Sequence, residues 1–248
     1  MVLKQIYRFL FLKSLNYPKL VICNICKWSG RRFLDDYWLK RISCPNCHSD
    51  IRHRLLLFSL INKSLLTKEL LNKKVLHFAP ESFLVPYFKR NSNYLTADYN
   101  RTDVDLNVDI SNMNYIPDGQ YDLIIASDVL EHVYDDMKAI FEIYRILKVG
   151  GIAILTVPQK DHLKTTIENL SDLSSEEREI QCGQKDHYRI YGYDFLDKLM
   201  SVEFKVEIFD AQTVPNKLRK KYVLSPPILG KHPMVTNYRK IYHAIKIK

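Results

Sequence analysis

From residue 75 onward, short apolar runs alternate with stretches of helical spacing. The runs VLHFA (75–79), YLTAD (94–98), VDLNVD (104–109), YDLIIAS (121–127), IAILTVP (152–158), FKVEIFD (204–210) and IYHAIK (241–246) predict strands. Residues 133–147 and 193–201 predict helices between them. SFLVPYFKR (82–90) also has helical spacing, interrupted by Pro86. Strand and helix in alternation predict an α/β fold with a doubly wound, mostly parallel sheet and helices on both faces. Ahead of it, residues 49–74 carry an apolar face from Leu55 to Leu71, with Ser49 and Asp50 as candidate caps. Leu3, Ile6, Tyr7, Leu10, Phe11 and Leu15 give the N-terminal segment the spacing of an amphipathic helix. Lys4, Arg8 and Lys13 interrupt it, so it reads neither as a membrane span nor as a signal peptide. Docking on the protein's own core is the expected role, with contact to a membrane surface the other reading.

The cysteines add a second element. Cys23 and Cys26, then Cys44 and Cys47, form C-x2-C-x17-C-x2-C. Each C-x2-C turn aims two sulfurs at one point, and the intervening hairpin brings the second pair back to complete a tetrahedron. A zinc ribbon is expected, with all four positions filled by thiolates and so a structural ion. Nothing marks the chain as secreted, so disulfides are not expected and the compartment is read as cytoplasmic. Cys182 stands alone and reads as an ordinary thiol. The domains expected from these patterns are an amphipathic segment (1–20), a zinc ribbon (21–50), a linking helix (51–73) and the α/β domain (74–248). Arg52, His53 and Arg54, at the start of the linking helix, could face a substrate or form a solvated turn.

Net charge is +9, unevenly spread: residues 1–74 hold 15 Lys/Arg against 4 Asp/Glu. Such an excess suits nucleic acid, anionic lipid or an acidic substrate, or is simply a solvated surface. Zinc held by four thiolates would soften it.

Ligands of doubly wound sheets bind at the carboxyl ends of the strands, so the residues there carry the chemistry. Asp98 closes the second strand, where a carboxylate can take both hydroxyls of a ribose. Asp109 follows the next strand and can accept from an adenine amino group. Ser127 and Asp128 open SDVLEH (127–132) after the fourth strand. The first loop has no glycine: Ala79-Pro80-Glu81 follows a strand containing His77. A dinucleotide's pyrophosphate needs backbone N–H groups at a glycine-rich helix start, so this loop argues against NAD and FAD.

The order VLHFAPE, LTADY, VDI, YDLIIASDVLEHVYDD, YRILKVGGIAILTVP resembles the class I S-adenosylmethionine-dependent methyltransferases over roughly residues 74–160. CPNCHSDIRHRLL followed by LHFAPE, with HYRIYGYDF (187–195), is similar to a bacterial subgroup with an N-terminal zinc ribbon and this same glycine-free first loop. The resemblance implies a seven-stranded sheet whose last hairpin is reversed, and S-adenosylmethionine as cofactor. It carries cofactor binding onto His77, Ala79, Glu81, Asp98, Asp109, Ser127 and Asp128. Most of the family has a Gly-x-Gly loop after an acidic residue, which His77, Ala79, Pro80 and Glu81 replace here. S-adenosylmethionine has no phosphate; Glu81 could hold its ammonium, and Ala79 is small enough for close approach.

The expected reaction is methyl transfer to a small-molecule or glycan-related acceptor. A hydroxyl acceptor needs a general base, for which His132 and His187 are candidates. Residues 159–191 form a long polar connection of the kind that serves as a lid or substrate element. Arg189 and Tyr191 at its return could bind an anionic or sugar-like acceptor. The basic NKLRKKY (216–222) reads as an exposed loop. RNA is the alternative acceptor, given the basic N-terminal region. A third reading is a non-catalytic zinc-ribbon interaction protein on a degenerate methyltransferase fold.

Overall fold

Two short strands, β1 (Val21–Ile22) and β2 (Ser29–Gly30), pair antiparallel in the computed structural model, which describes residues 18–36, 39–168, 173–182, 184–231 and 235–248. The expected N-terminal amphipathic helix falls on residues 1–17, outside the described residues, as does the side chain of Cys182. No helix of the described residues is long and apolar enough to cross a membrane.

The chain divides into two units, Met1–Lys63 with Asp210–Arg239, and Ser64–Phe209 with Lys240–Lys248. This corrects the expected boundaries in two places. The helix assigned to a linker runs only over Ile51–Asn62 and belongs with the cysteines. Asp50 caps it, accepting from His53 N–H, while His53 Nδ1 accepts from Asp50 N–H. It ends at Lys63, and Ser64, at φ 55°, turns the chain left-handed. The second correction is that Asp210–Arg239 leaves the α/β domain.

Arg54 explains that division. Its side chain is fully buried in the first unit. The guanidinium donates to Ser49 O (2.5 Å), Ile42 O (2.8 Å) and Val223 O (3.0 Å), and Nε donates to Tyr222 O (3.0 Å). It also lies 4.5 Å over the Phe33 ring. One side chain thus ties the cysteine region, its helix and the 210–239 segment together. Burial lowers its pKa to about 10, so it remains a cation at neutral pH. It is not available to a substrate. NKLRKKY, expected as a loop, is a helix, Asn216–Tyr222, lying against β1 with no buried residue. Pro215 precedes its first turn, and Arg219, Lys220 and Lys221 sit favourably at its C-terminal end.

The second unit holds β3 (Val75–Phe78), β4 (Tyr94–Asp98), β5 (Leu106–Asn107), β6 (Tyr121–Ser127), β7 (Leu147–Thr156), β8 (Phe204–Asp210, its last residue across the boundary) and β9 (Lys240–Lys246). They form one sheet in the order β5-β4-β3-β6-β7-β9-β8. β3 pairs parallel with β4 and with β6, β6 parallel with β7, and β9 antiparallel with β7. All four residues of β3 are buried, as a central strand covered on both faces requires. The helix Asp136–Ile146 presents Ala139, Ile140, Ile143 and Ile146 to the core and is capped by Asp135, which accepts from Lys138 N–H at 2.9 Å. Pro86 falls in the first turn of a short helix, Val85–Phe88, where its missing N–H costs nothing.

Candidate cofactor site

Strand order reverses between β3 and β6, since β4 lies on one side of β3 and β6 on the other. A cavity of about 480 Å3 opens at this switch point, where such sheets bind ligands. Its walls include Ala79 after β3, Asp98 and Tyr99 at the end of β4, Asp109, and Asp128 and His132 after β6. The volume falls in the range of small-molecule sites.

The loops are shaped without glycine. Ala79 holds φ 45° and its N–H donates to Ala97 O at 2.8 Å. Asp128 holds φ 52°, its N–H donates to Thr156 O at 3.0 Å, and its Oδ1 accepts from the Thr156 hydroxyl at 2.9 Å. Left-handed backbone at a non-glycine residue costs roughly 1–2 kcal/mol. Ala79 and Asp128 both line the cavity, and such strain is common at functional sites. Asp98 Oδ1 accepts from the N–H groups of Asn100 (2.9 Å) and Arg101 (3.0 Å). Asp109 Oδ1 likewise fixes Ser111 through its N–H (2.8 Å) and hydroxyl (2.7 Å). Each carboxylate uses one oxygen to set its turn.

Three of the expected cofactor-binding residues lie off this wall. Ser127 is buried, with its Oγ 3.1 Å from Thr156 Oγ1, to which it can donate while the Thr156 hydroxyl donates to Asp128. His77 is fully buried within β3, with Nδ1 3.0 Å from the Tyr94 hydroxyl and Nε2 2.7 Å from Glu81 Oε2. Burial and the Glu81 and Asp105 carboxylates raise the Tyr94 pKa, so its O–H is kept and can donate to Nδ1. That leaves His77 Nε2–H to face Glu81. Glu81 Oε1 is buried with no hydrogen-bond partner. This orphaned carboxylate oxygen, two residues from Ala79, suits a cationic group in charge although it lies off the cavity wall, and the cavity's own carboxylates fit a ribose and an amine-bearing base. S-adenosylmethionine presents these groups; when bound it would supply the methyl electrophile and its leaving group.

The two candidate bases meet. The His132 and His187 rings lie 4.8 Å apart, edge to face. His132 is on the cavity wall, with Nδ1 3.0 Å from Asp186 Oδ2. His187 is buried behind it, and burial with the neighbouring His132 pushes its pKa down to about 4. A base that weak is poorly matched to a proton transfer at neutral pH. Arg189 and Tyr191 are interior as well. Arg189 donates to Leu130 O (2.9 Å), to Val133 O and to Tyr134 O (2.6 Å), and the Tyr191 hydroxyl donates to Asp136 Oδ2 (2.8 Å). These bonds anchor the returning chain rather than present either side chain to the cavity. Tyr99, Tyr134 and Tyr188, which do line the cavity, fall inside the quoted motifs but are not singled out by the sequence pattern.

In the first unit, Sγ of Cys23 lies 3.7 Å from that of Cys47, and Sγ of Cys26 lies 3.6 Å from that of Cys44. Four thiolates around zinc at ~2.3 Å make a tetrahedron with edges of ~3.8 Å. The cluster could bind zinc. Both knuckles close the same way: Lys27 N–H donates to Cys23 O and His48 N–H to Cys44 O, each at 2.9 Å, with both residues at positive φ. A separate cavity of about 570 Å3 in this unit is lined by Arg31, Arg32, Arg41, Arg219 and Lys220 among apolar groups.

Residues 80–155 match the family described as a methyltransferase domain. No curated protein matches the sequence. Among solved structures, the YcgJ protein of Bacillus subtilis is similar at a TM-score of 0.51 and 12% identity, over 79% of this chain and 99% of that one. An inferred methyltransferase of Bacillus halodurans gives 0.48 and 19%, over 77% and 99%. The 1,6-didemethyltoxoflavin N1-methyltransferase of Burkholderia thailandensis, solved with 1,6-didemethyltoxoflavin and S-adenosylhomocysteine, gives 0.48 and 10%, over 79% and 78%. The matched domain, the strand order and the reversed last strand together give the second unit the fold of the class I S-adenosylmethionine-dependent methyltransferases.

Proposed function

We propose that the protein transfers a methyl group from S-adenosylmethionine to a small-molecule or glycan-related acceptor. The observation that carries this reading is the acidic cavity at the switch point, walled by Ala79, Asp98, Asp109 and Asp128. Asp98 is assigned to the ribose hydroxyls, Asp109 to the adenine edge, and Glu81 to the ammonium through its unpartnered oxygen. His132 is the assigned general base for a hydroxyl acceptor, since it reaches the cavity and His187 does not. The protein's share of catalysis is then alignment of the acceptor and exclusion of water. Zinc at Cys23, Cys26, Cys44 and Cys47 is assigned a structural role.

The basic cavity of the first unit supports a second reading, a phosphate-bearing acceptor such as RNA. Calorimetric titration with S-adenosylhomocysteine, followed by an acceptor screen with glycans and RNA, tests both. Affinity for RNA that falls steeply with salt, with methyl incorporated into RNA alone, would favour the second. Absence of S-adenosylhomocysteine binding by folded protein would overturn both readings and favour a non-catalytic interaction protein.

A further inference from the structure

We infer that Glu131, His132 and His187 form a binding site for a divalent transition-metal ion at the edge of the cofactor cavity. The three side chains offer one carboxylate oxygen and two ring nitrogens, all within 4.8 Å of one another. They come from two distant segments: the short turn Leu130–His132 after β6, and the return of the long connection. One main-chain and one side-chain hydrogen bond pin those segments together. Tyr188 N–H donates to Glu131 O at 2.8 Å, and Arg189 Nη1 donates to Leu130 O at 2.9 Å. The cluster therefore does not depend on surface side chains meeting by chance.

The chemistry of the donor set selects the ion. Two imidazoles with one carboxylate suit zinc, manganese, iron(II), cobalt or nickel, whereas calcium and magnesium prefer all-oxygen shells. Bonds of ~2.1 Å to a tetrahedral ion give ligand separations of ~3.4 Å, so the side chains must close in slightly. His132 is only partly buried and can move. Its other neighbour, Asp186 at 3.0 Å from Nδ1, matches the carboxylate that orients a metal-bound imidazole. Asp128 and Asp186 add negative charge around His187, and Lys160 opposes it. Three protein ligands leave positions open, and His132, Asp186 and Tyr188 place that open side on the cavity. Metal binding here does not require that the protein be a methyltransferase, and an ion on His132 would occupy the lone pair that a general base needs, so His132 serves as base only in the metal-free protein.

The test is a titration of the zinc-loaded protein with Co2+, followed by visible absorption. The expected result is one further Co2+ per chain with d–d bands and no thiolate-to-metal charge transfer, which would instead report exchange into the four-cysteine cluster. His132→Ala should weaken that uptake at least ~100-fold, and His187→Asn should do the same. His132 is partly exposed, so its variant decides the matter if His187→Asn does not fold. No uptake beyond the cysteine cluster, or uptake unchanged in His132→Ala, would overturn the site. S-adenosylhomocysteine affinity measured on the same samples reports the cofactor cavity separately.

Discussion

His77 and Glu81 face each other across the first loop, with Nε2 2.7 Å from Oε2, while the other Glu81 oxygen is buried with no hydrogen-bond partner. The loop that lacks glycine is therefore held by a side-chain pair four residues apart. Removing one partner of a buried pair exposes the other to the full cost of desolvation, about 1–3 kcal/mol. Glu81→Ala is expected to lose that much stability in denaturant melts. It should also lose about 1.5–3 kcal/mol of S-adenosylhomocysteine affinity, because a charge-assisted contact to the ammonium goes with it. A stability loss with unchanged affinity would make Glu81 a loop anchor only.

Asp98 separates binding from folding more cleanly. Its Oδ1 sets the following turn through Asn100 and Arg101. Asp98→Asn keeps an acceptor for those N–H groups and removes the charge. The expected outcome is an unchanged melt and a loss of about 1.5–3 kcal/mol in calorimetric affinity. Equal affinity in wild type and variant would take the ribose away from Asp98.

Most of the sheet was legible because parallel central strands are continuous apolar runs, and VLHF and YDLIIAS are such runs. That Asp98, Asp109, Asp128 and His132 would gather on one cavity wall was legible for a related reason: a strand end fixes where its next side chains can go. Arg54 was not. Its neighbours Arg52 and His53 are only partly buried, and the tertiary return of Tyr222 and Val223 covers Arg54. Nor was the roll of Asp210–Arg239, whose basic helix reads as a solvated loop without the strand it lies against. Arg189 and Tyr191 carry the polar groups of a substrate site, but their partners are main-chain carbonyls, Glu168 and Asp136, which no local pattern announces.

Arg54 makes the first unit sensitive to a conservative change. Lysine has no planar fork and cannot reach Ser49, Ile42 and Val223 carbonyls at once. Breaking a buried, hydrogen-bonded charge typically costs about 3–5 kcal/mol. Arg54→Lys should lower the denaturant midpoint of the first unit and speed proteolysis within 210–239. A variant that resists protease like wild type would mean the segment is held by its apolar contacts alone.

With zinc held as proposed, the four cysteines would carry the same unit from the metal side. A thiolate cluster with zinc bound is part of the folding free energy, so removing the ion should remove the fold around it. A strong chelator is expected to release one zinc per cysteine cluster and to expose Cys23 and Cys44, both fully buried, to thiol reagents. Thiol titration with and without chelator measures this. Cysteines that stay protected after all zinc has left would show that Phe33 and Val223, packed around them, suffice to hold the ribbon.

Ala79 tests whether the strained loop and the cavity are one feature. At φ 45°, Ala79→Gly relieves a left-handed strain of roughly 1 kcal/mol and restores a similar amount of chain entropy to the unfolded state. Its stability should stay within about 1 kcal/mol of wild type, with cofactor affinity kept. Ala79→Val puts a β-branched side chain where such backbone is an outlier and adds two methyl groups to a cavity wall. It should lose about 2 kcal/mol or more of stability, and S-adenosylhomocysteine binding should fall by an amount that the stability loss alone cannot supply when the variant is assayed well below its melting point. If Ala79→Val binds as tightly as Ala79→Gly while folded, the wall at Ala79 is not where the cofactor's amino-acid end lies, and the first loop serves only to connect β3 to the helix that follows.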